Sequence, residues 1–156
     1  MKLASLTQDM GKALGGTKSS DGRYIDHGDG TITDTRTNLM WAKKDSYSDT
    51  GSCMNWNDSR SYVSSLSTGG YSGWWMPTVQ ELKGIYDSSK RLMAFDNDSS
   101  TPLHLDSIFA DGAAYWYWSS ETVGSSRARI VSFGSANVFD DGRDSCGNRG
   151  VRAVRR

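Results

Sequence analysis

Apolar and polar residues alternate in short runs in the first third of the chain. Tyr24–Asp26 leads into the turn dipeptide Asp29-Gly30, Thr31–Asp34 alternates in polarity, and Leu39–Trp41 follows a second polar turn. Asp-Gly favours tight turns, and β-branched residues favour strands. The sequence therefore predicts antiparallel strands joined by hairpin turns over this region.

Apolar residues at helical spacing predict two short helices, separated by polar segments that predict loops. Trp56, Val63 and Leu66 indicate a helix over residues 56–66, with Asn55 or Asn57 as its N-cap.

The second helix follows Pro77. Thr78 and Glu81 stand at the spacing of a capping box, in which the hydroxyl and the carboxylate satisfy free backbone amides. The apolar face of this helix consists of Val79, Leu82, Ile85 and Tyr86.

The segment from Tyr115 to Arg156 predicts three or four further strands. The first contains Ile130, Val131 and Phe133, the next is anchored by Ala136 and Val138, and the last holds Val151 and Val154. On a strand over residues 135–139, Ser135, Asn137 and Phe139 would point outward. Helices and strands in this order predict an α+β domain with one small, mostly antiparallel sheet.

The chain of 156 residues has the length of one domain. Residues 1–22 are small and polar and predict a flexible N-terminal arm, so the domain is expected over residues 23–156. Met1–Leu6 lacks the apolar core of a secretory signal, which implies either another export route or a leader missing from this sequence. No apolar run approaches the ~20 residues of a membrane span.

The formal charge of zero gives no reason to expect a nucleic-acid partner. From Arg127 onward, however, seven arginines accompany three aspartates. This excess either attracts an anionic partner, or its guanidinium groups pair with carboxylates elsewhere and cover aromatic rings. Cys53 and Cys146 lack the close spacing of a zinc or redox motif, and both a disulfide and two free thiols are compatible with the sequence.

Candidate catalytic and metal sites are weak. His27 and His104 lie in predicted loops without a serine or cysteine motif, and no phosphate-binding loop or zinc helix occurs. The stretch Asp96–Ser99 lacks the glycine and glutamate of a calcium loop, so it predicts a polar turn. We therefore expect no catalytic residues, no metal site and no cofactor.

Several segments, in their order along the chain, resemble a known family. They are Gly28–Asp34, Thr35–Trp41, Trp56–Asp58, Gly70–Leu82, Tyr117–Ser120, Val131–Phe133 and Val151–Arg155. Residues 23–156 are similar to the C-terminal domain family of the Legionella collagen-like adhesin, a relative of the C-type lectin fold. This resemblance implies two short helices on a small, mostly antiparallel sheet, with long loops.

The resemblance also implies a function. Similar proteins include adhesins that bind glycosaminoglycans or other host ligands, and variable proteins of diversity-generating retroelements, whose C-terminal segment is rewritten at adenine positions. It implies a non-enzymatic ligand-binding protein displayed on a cell or phage-particle surface. The formylglycine-generating enzymes share a distantly related fold and use cysteines, so Cys146 makes them a less favoured enzymatic alternative.

The chain departs from the family at three positions. Trp75 stands where an arginine is frequent, and Tyr62 and Ala153 stand where two cysteines are frequent, so that disulfide is absent. Trp56-Asn57-Asp58 resembles the Trp-Asn-Asp of calcium-dependent lectins, but no Glu-Pro-Asn partner occurs.

We predict that the ligand-binding surface lies in the C-terminal segment, because polar, aromatic and arginine residues cluster there between scaffold residues. Its candidate residues are Trp116, Arg127, Arg129, Ser132, Ser135, Asn137, Phe139, Asp140, Asp141, Arg143, Asp144, Ser145, Asn148 and Arg149. A protein receptor suits the mixed charges, and an anionic polysaccharide suits the arginines. The three aspartates favour the protein receptor, or a ligand that is not dominated by charge. Trp118, Phe133 and Val151 are expected in the core.

Overall fold

The computed structural model describes residues 16–156, which form an α+β domain. Its strands are β1 (Thr17–Lys18), β2 (Tyr24–Asp26), β3 (Thr31–Asp34), β4 (Leu39–Ala42), β5 (Trp116–Val123), β6 (Arg127–Ser132), β7 (Val138–Gly142), β8 (Arg149–Gly150) and β9 (Val154–Arg155). Its helices are α1 (Ser46–Thr50), α2 (Trp56–Ser64) and α3 (Val79–Ile85), and a 3₁₀ turn spans Thr68–Gly70.

The strands form two sheets. The first has the order β1-β2-β3-β4-β9 and is antiparallel throughout, and the second has the order β7-β6-β5-β8 with one parallel pair, β5 and β8. The predicted α+β class with mostly antiparallel pairing is confirmed. The predicted single sheet and single last strand are wrong, because the chain end divides between both sheets: β8 joins β5 and β9 joins β4.

Part of the predicted N-terminal arm belongs to the first sheet. Residues 1–15 lie outside the described part of the chain. Thr17 and Lys18 pair with Asp26 and Ile25 of β2. The sheet therefore begins before residue 23, where the domain was expected to start.

Side chains fix the starts of both predicted helices. The Asn55 side chain accepts a hydrogen bond of 2.8 Å from the amide of Asp58, and α2 ends at Ser64, two residues before the predicted end. At α3, the Thr78 hydroxyl accepts from the Glu81 amide at 3.0 Å, and the Glu81 carboxylate accepts from the Thr78 amide at 2.9 Å. The capping box is confirmed.

A third helix, α1, precedes the two predicted helices, in a polar segment where the sequence indicated no helix. Its five residues carry no apolar periodicity, so the hydrophobic pattern missed it. The signals that were present are its caps. Asp45 accepts from the Ser48 amide at 2.7 Å, and Gly51 ends the helix in the left-handed conformation at φ 80°.

Strand β5 separates two hydrophobic cores. Tyr117 packs into a core formed by the first sheet, α3 and the segment of residues 92–114, whereas Trp118 packs into a second core with α2 and Trp74. Neighbouring residues of a strand point to opposite faces, which explains this division. Trp118, Phe133 and Val151 are fully buried, as predicted.

Cys53 and Cys146 form a disulfide, which decides between the two alternatives that the sequence left open. Their Cα atoms lie 5.4 Å apart, and the bond joins positions separated by 93 residues. It ties the segment before α2 to the loop between β7 and β8.

Candidate functional site

Four predicted site residues lie on one face of the second sheet. Trp116 pairs with Arg149 in register, and Phe139 and Asp141 alternate on β7 toward the same side, which also carries the buried Ile130. We call Trp116, Phe139, Asp141 and Arg149 the aromatic face.

Contacts among its own residues organise the aromatic face. The ring centroids of Trp116 and Phe139 are 6.4 Å apart, and the Arg149 guanidinium lies 4.7 Å from the centroid of the Trp116 ring. Arg149 also pairs with the carboxylate of Asp141. The Phe139 side chain remains 48% exposed, so the face presents an apolar surface to solvent.

Hydrogen bonding also holds the Asp141 carboxylate in its charged form. Burial alone would raise the pKa of Asp141, but the Gly142 amide and the Arg149 guanidinium together lower this pKa below its ordinary value. At neutral pH the aromatic face therefore carries an ion pair rather than a free cation.

Three other predicted residues lie on the opposite face of the same sheet. Arg129 and Asp140 are cross-strand partners, and Arg127 donates to Asp140 at 2.5 Å. All three side chains are exposed. The residues that the sequence grouped as one surface therefore divide between two faces of β6 and β7.

The predicted strand over residues 135–139 is wrong in its first half. Residues 134–137 form a turn, in which the Ala136 amide donates to the carbonyl of Ser132 at 2.8 Å and Ala136 adopts φ 66°. Strand β7 begins only at Val138. Ser135, Asn137 and Phe139 are nevertheless exposed, whereas Ser132 is 8% exposed and its hydroxyl accepts from the Gly134 amide at 3.2 Å. Ser132 therefore supports the turn.

The loop between β7 and β8 is fastened to the start of α2. The carbonyls of Arg143 and Arg149 accept from the amides of Trp56 and Met54, each at 3.0 Å, and the disulfide adds a covalent link. The Arg143 guanidinium donates to backbone carbonyls of residues 124 and 127 at 2.7 and 3.0 Å. Of the other predicted loop residues, Asp144 and Asn148 are exposed and Ser145 is half-buried.

Most of the C-terminal arginines have partners within the domain. Arg127, Arg149 and Arg152 form ion pairs with Asp140, Asp141 and Asp45 respectively. Arg143 and Arg155 lie 4.8 and 4.9 Å from the ring centroids of Trp56 and Tyr71. Of the two interpretations of the arginine excess, pairing with carboxylates and aromatic rings is confirmed for these five.

Arg152 is the arginine whose role the sequence did not indicate. It is fully buried and donates to the carbonyls of Ala42 and Lys43 at 2.9 and 2.7 Å, and to the Tyr117 hydroxyl at 2.9 Å. Tyr117 in turn donates to Asp45 at 2.6 Å, and burial raises the pKa of this tyrosine well above its ordinary value. The cluster joins β4, β5 and the chain end.

Two clefts flank the C-terminal segment. One, of about 570 Å³, lies between α2, residues 74–76 and β5, and Arg143 contributes to its wall. The other, of about 510 Å³, lies between the loop of residues 96–104 and the second sheet, and is lined in part by Trp116, Ser132 and Asn148. Three predicted site residues thus meet at the second cleft.

The aspartates and cysteines that were candidate ligands or thiols take part in contacts that stabilise the fold. Asp98 accepts from the amide and hydroxyl of Ser100 at 3.0 and 2.6 Å, which confirms the polar turn. Both cysteines are engaged in the disulfide. Within residues 16–156, no three His, Cys, Asp or Glu side chains are grouped so as to hold a metal ion. Among the helices in this range, none has the length and apolar character to span a membrane.

The family model of the Lcl C-terminal domain matches residues 30–155. The chain belongs to the Lcl C-terminal domain family. This family, named after the Legionella collagen-like adhesin, is adhesin-related and is not a known enzyme family. The match includes the second core, the aromatic face, the disulfide and all of the first core except Tyr24. No curated protein matches the chain.

The three positions at which this Lcl C-terminal domain departs from its family have different surroundings in the structure. Trp75 is 37% exposed, and its indole N–H points toward Glu81 at 3.5 Å. Tyr62 donates to Asp49 at 2.7 Å, and Ala153 is buried in the second core. The Cys53–Cys146 bond supplies a cross-link at other positions.

Proposed function

We propose that this domain is a non-enzymatic ligand-binding module, displayed at a cell or particle surface on a C-type lectin-like scaffold, which recognises its partner with the C-terminal segment. The observation that carries the proposal is the aromatic face, where an exposed phenylalanine outside both cores is held beside an arginine and a tryptophan that packs against the edge of the second core.

The chemistry and rigidity of this face support the proposal. Tryptophan, tyrosine and arginine most often contribute the binding energy of protein interfaces, and an exposed phenylalanine beside them supplies apolar area. Pairing of β7 with β6 and the ion pair of Arg149 with Asp141 fix the face before binding. Groups that are ordered in advance lose less conformational entropy when a ligand arrives.

A protein receptor fits the surface better than an anionic polysaccharide. Arg127 and Arg149 are paired with carboxylates, and Arg143 donates to backbone carbonyls. Among the four predicted arginines this leaves Arg129, within the described residues, as the exposed guanidinium without an ion pair or a hydrogen bond. A sulfated polymer gains most from several unpaired cations. Exposed Phe139, Asn137 and Asp144 instead offer apolar, hydrogen-bonding and charged contacts, a mixture that is typical of protein–protein interfaces.

The amino-acid composition supports diversification of the segment. Between Val123 and Arg156 there is no lysine, glutamate, glutamine, methionine or tryptophan, and all charges come from arginine and aspartate. Replacing adenines in asparagine codons, which end in a pyrimidine, cannot produce any of those five residue types. A solvated surface segment has no physical reason to avoid lysine and glutamate.

The diversification proposal has a genomic test. It requires a near-repeat of the DNA that encodes residues 115–156, differing mainly at adenines and lying beside a reverse transcriptase gene. If the source genome has neither, diversification is rejected, and the proposal reduces to a fixed adhesin-like surface.

Substitution of the aromatic face tests the binding proposal. We expect Phe139→Ala and Asn137→Ala to reduce adhesion of the labelled domain to host cells and to change the free energy of unfolding by no more than about 0.5 kcal/mol. Trp118→Ala should lower the free energy of unfolding by about 3–5 kcal/mol, because the substitution leaves a cavity. Arg36→Ala, at an exposed turn of the first sheet, is the control for adhesion.

Two results would count against the binding proposal. One is an unchanged adhesion of the Phe139 and Asn137 variants, and the other is a loss of stability as large as that of Trp118→Ala. The polysaccharide alternative predicts binding to immobilised heparin that weakens steeply as ionic strength rises.

The formylglycine-generating alternative receives no support from the disulfide. That chemistry relies on cysteine thiols, and both cysteines of this chain are bonded to each other. Incubation with a cysteine-containing sulfatase peptide should leave the peptide without an aldehyde product.

A further inference from the structure

The cleft of about 570 Å³ between α2, residues 74–76 and β5 is lined by tryptophan and arginine side chains. Trp56, Trp74 and Trp75 contribute to this wall, and we call the cleft the tryptophan groove. None of its lining residues belongs to the aromatic face, so the groove is a different place on the surface.

Two guanidinium groups converge on the groove. The Arg60 and Arg143 guanidinium carbons lie 5.6 and 4.8 Å from the centroid of the Trp56 ring. Arg60 is exposed, and within the described residues it makes no hydrogen bond and no ion pair. No lining residue carries a carboxylate. Two cations therefore lie beside one ring without a counter-charge in the wall.

Two carboxylates beside lining residues of this groove, one next to the Trp75 indole and one between Ser120 and Thr122, are already occupied. Glu81 accepts from the Thr78 amide, and Glu121 accepts from the Val79 amide at 2.8 Å. Both thus lie at the N-terminus of α3, where the helix dipole favours negative charge. Their charges are offset at that helix end. Arg60 is therefore available to an outside anion, and Arg143, whose Nε and one terminal nitrogen already donate to backbone carbonyls, adds positive charge beside it.

The same groove offers apolar surface beside its cations. Trp75 is 37% exposed, and Val63 and Met76 also contribute to the wall. The indole N–H groups of Trp56 and Trp74 are used by the carbonyls of Ser119 and Tyr71, at 2.9 and 3.0 Å. These two tryptophans therefore present carbon atoms rather than hydrogen-bonding groups.

We propose that the tryptophan groove binds an acidic peptide segment of a partner protein, with a glutamate or aspartate side chain at Arg60, beside the positive charge of Arg143, and a neighbouring apolar side chain against Trp75. Guanidinium groups recognise carboxylates through charge-assisted hydrogen bonds. A neutral sugar fits less well, because the wall has no carboxylate or side-chain amide to accept from sugar hydroxyls. An inorganic anion would leave the apolar wall uncovered.

This inference is independent of the proposed adhesive function. Arg60 and Trp75 provide the ligand contacts that are proposed for the groove, whereas Phe139 and Asn137 provide those that are proposed for adhesion. Loss of one activity therefore leaves the other measurable.

The test uses a blocked pentapeptide of four glutamates around a central phenylalanine, with a matched peptide of four glutamines. We expect the glutamate peptide to change the tryptophan fluorescence of the domain and to bind more weakly at higher ionic strength. Arg60→Gln should weaken this binding about ten-fold or more, since it removes a charged hydrogen bond. Trp75→Ala should weaken it as well.

Matched controls separate groove binding from general charge attraction and from misfolding. Arg36→Gln removes an exposed charge from the first sheet and should leave the peptide affinity unchanged. Arg60 and Trp75 are both exposed, so their variants should melt at the temperature of the unaltered domain.

The proposal is overturned by equal affinity for the two peptides, by an Arg60→Gln variant that binds as tightly as the unaltered domain, or by absence of binding at millimolar peptide. It is also overturned if a sulfated disaccharide binds the groove and the peptide does not.

Discussion

At the scale of single residues, the burial and the partners of each arginine decide what the C-terminal segment is able to recognise. Arg152 and Arg129 lie in the same segment, yet the first is fully buried against Asp45 and Tyr117 and the second is exposed. A buried cation is tolerated only where carbonyl and carboxylate oxygens surround it. Such residues belong to the frame and not to the binding surface.

Replacement of Arg152 tests this assignment. We expect Arg152→Gln to lower the free energy of unfolding by about 3–5 kcal/mol, because it leaves the Asp45 carboxylate buried without its counter-charge. Arg129→Gln, the exposed control, should change it by no more than about 0.5 kcal/mol. Urea denaturation of both variants measures the difference, and similar values for the two would contradict a structural role for Arg152.

The sequence could indicate an arginine excess but not its distribution. Partners such as Asp45 and Arg152 lie far apart along the chain, and only the fold brings them together. For the same reason the sequence did not foresee that Arg143 donates to carbonyls near β6. Arg143 and Asp141 were predicted as surface residues, but each also supports the β6–β7 hairpin and the loop that follows it.

At the scale of elements, the loop between β7 and β8 depends on its attachment to α2. Its ordered structure rests on backbone hydrogen bonds from Met54 and Trp56 and on the Cys53–Cys146 bond. A polar loop with little apolar area has few other means of stabilisation. The cross-link therefore has a local effect on the loop as well as a global effect on the unfolded chain.

Removal of the cross-link should show both effects. We expect the double variant Cys53→Ser, Cys146→Ser to lose about 2–5 kcal/mol of stability, because the bond restricts the unfolded chain over a long loop. Amide exchange should accelerate most in residues 143–149. Reducing agent should destabilise the unaltered domain by the same amount and leave the double variant unaffected; a variant as stable as the unaltered domain would contradict this account.

Elements with strong local signals were predictable. The capping box fixed the start of α3, and Asn55 fixed that of α2, because those interactions are short-range. Helix α1 was missed because its five residues show no apolar periodicity. The strand over residues 135–139 was wrong because alternating exposure also arises in a turn, and Ala136 gave no sign of its positive φ.

At the scale of the whole molecule, two cores meet along β5, and tyrosines lie within the first. Tyr24 and Tyr117 both belong to that core. Burial raises the pKa of each tyrosine well above its ordinary value. Closure of the first sheet by β9 was not predictable, since the pairing of residue 154 with residue 41 leaves no local signal.

The buried tyrosines predict alkaline instability. The unfolded chain loses its phenolic protons near pH 10, whereas the folded chain retains them. The folded state then binds more protons, so the free energy of unfolding falls as pH rises above about 10 and is unaffected by these groups below it. Denaturation at increasing pH, followed by tyrosine absorbance and circular dichroism, measures the decline.

A matched variant isolates this effect. Tyr24→Phe keeps the ring that packs on Phe109 and removes one titrating hydroxyl, so it should make the decline less steep. A free energy of unfolding that stays constant beyond pH 11 in the unaltered domain would contradict the interpretation.

The outer edge of β7 has a consequence for crowded display. The register places the backbone groups of residues 138, 140 and 142 on that edge. Arg127 donates to the Asp140 carbonyl at 2.9 Å, and Asp141 accepts from the Gly142 amide at 2.8 Å. Two backbone groups to which a neighbouring strand would hydrogen-bond are thus already bonded to side chains of the same domain. The β7 edge is therefore a poor template for pairing with a strand of a second copy.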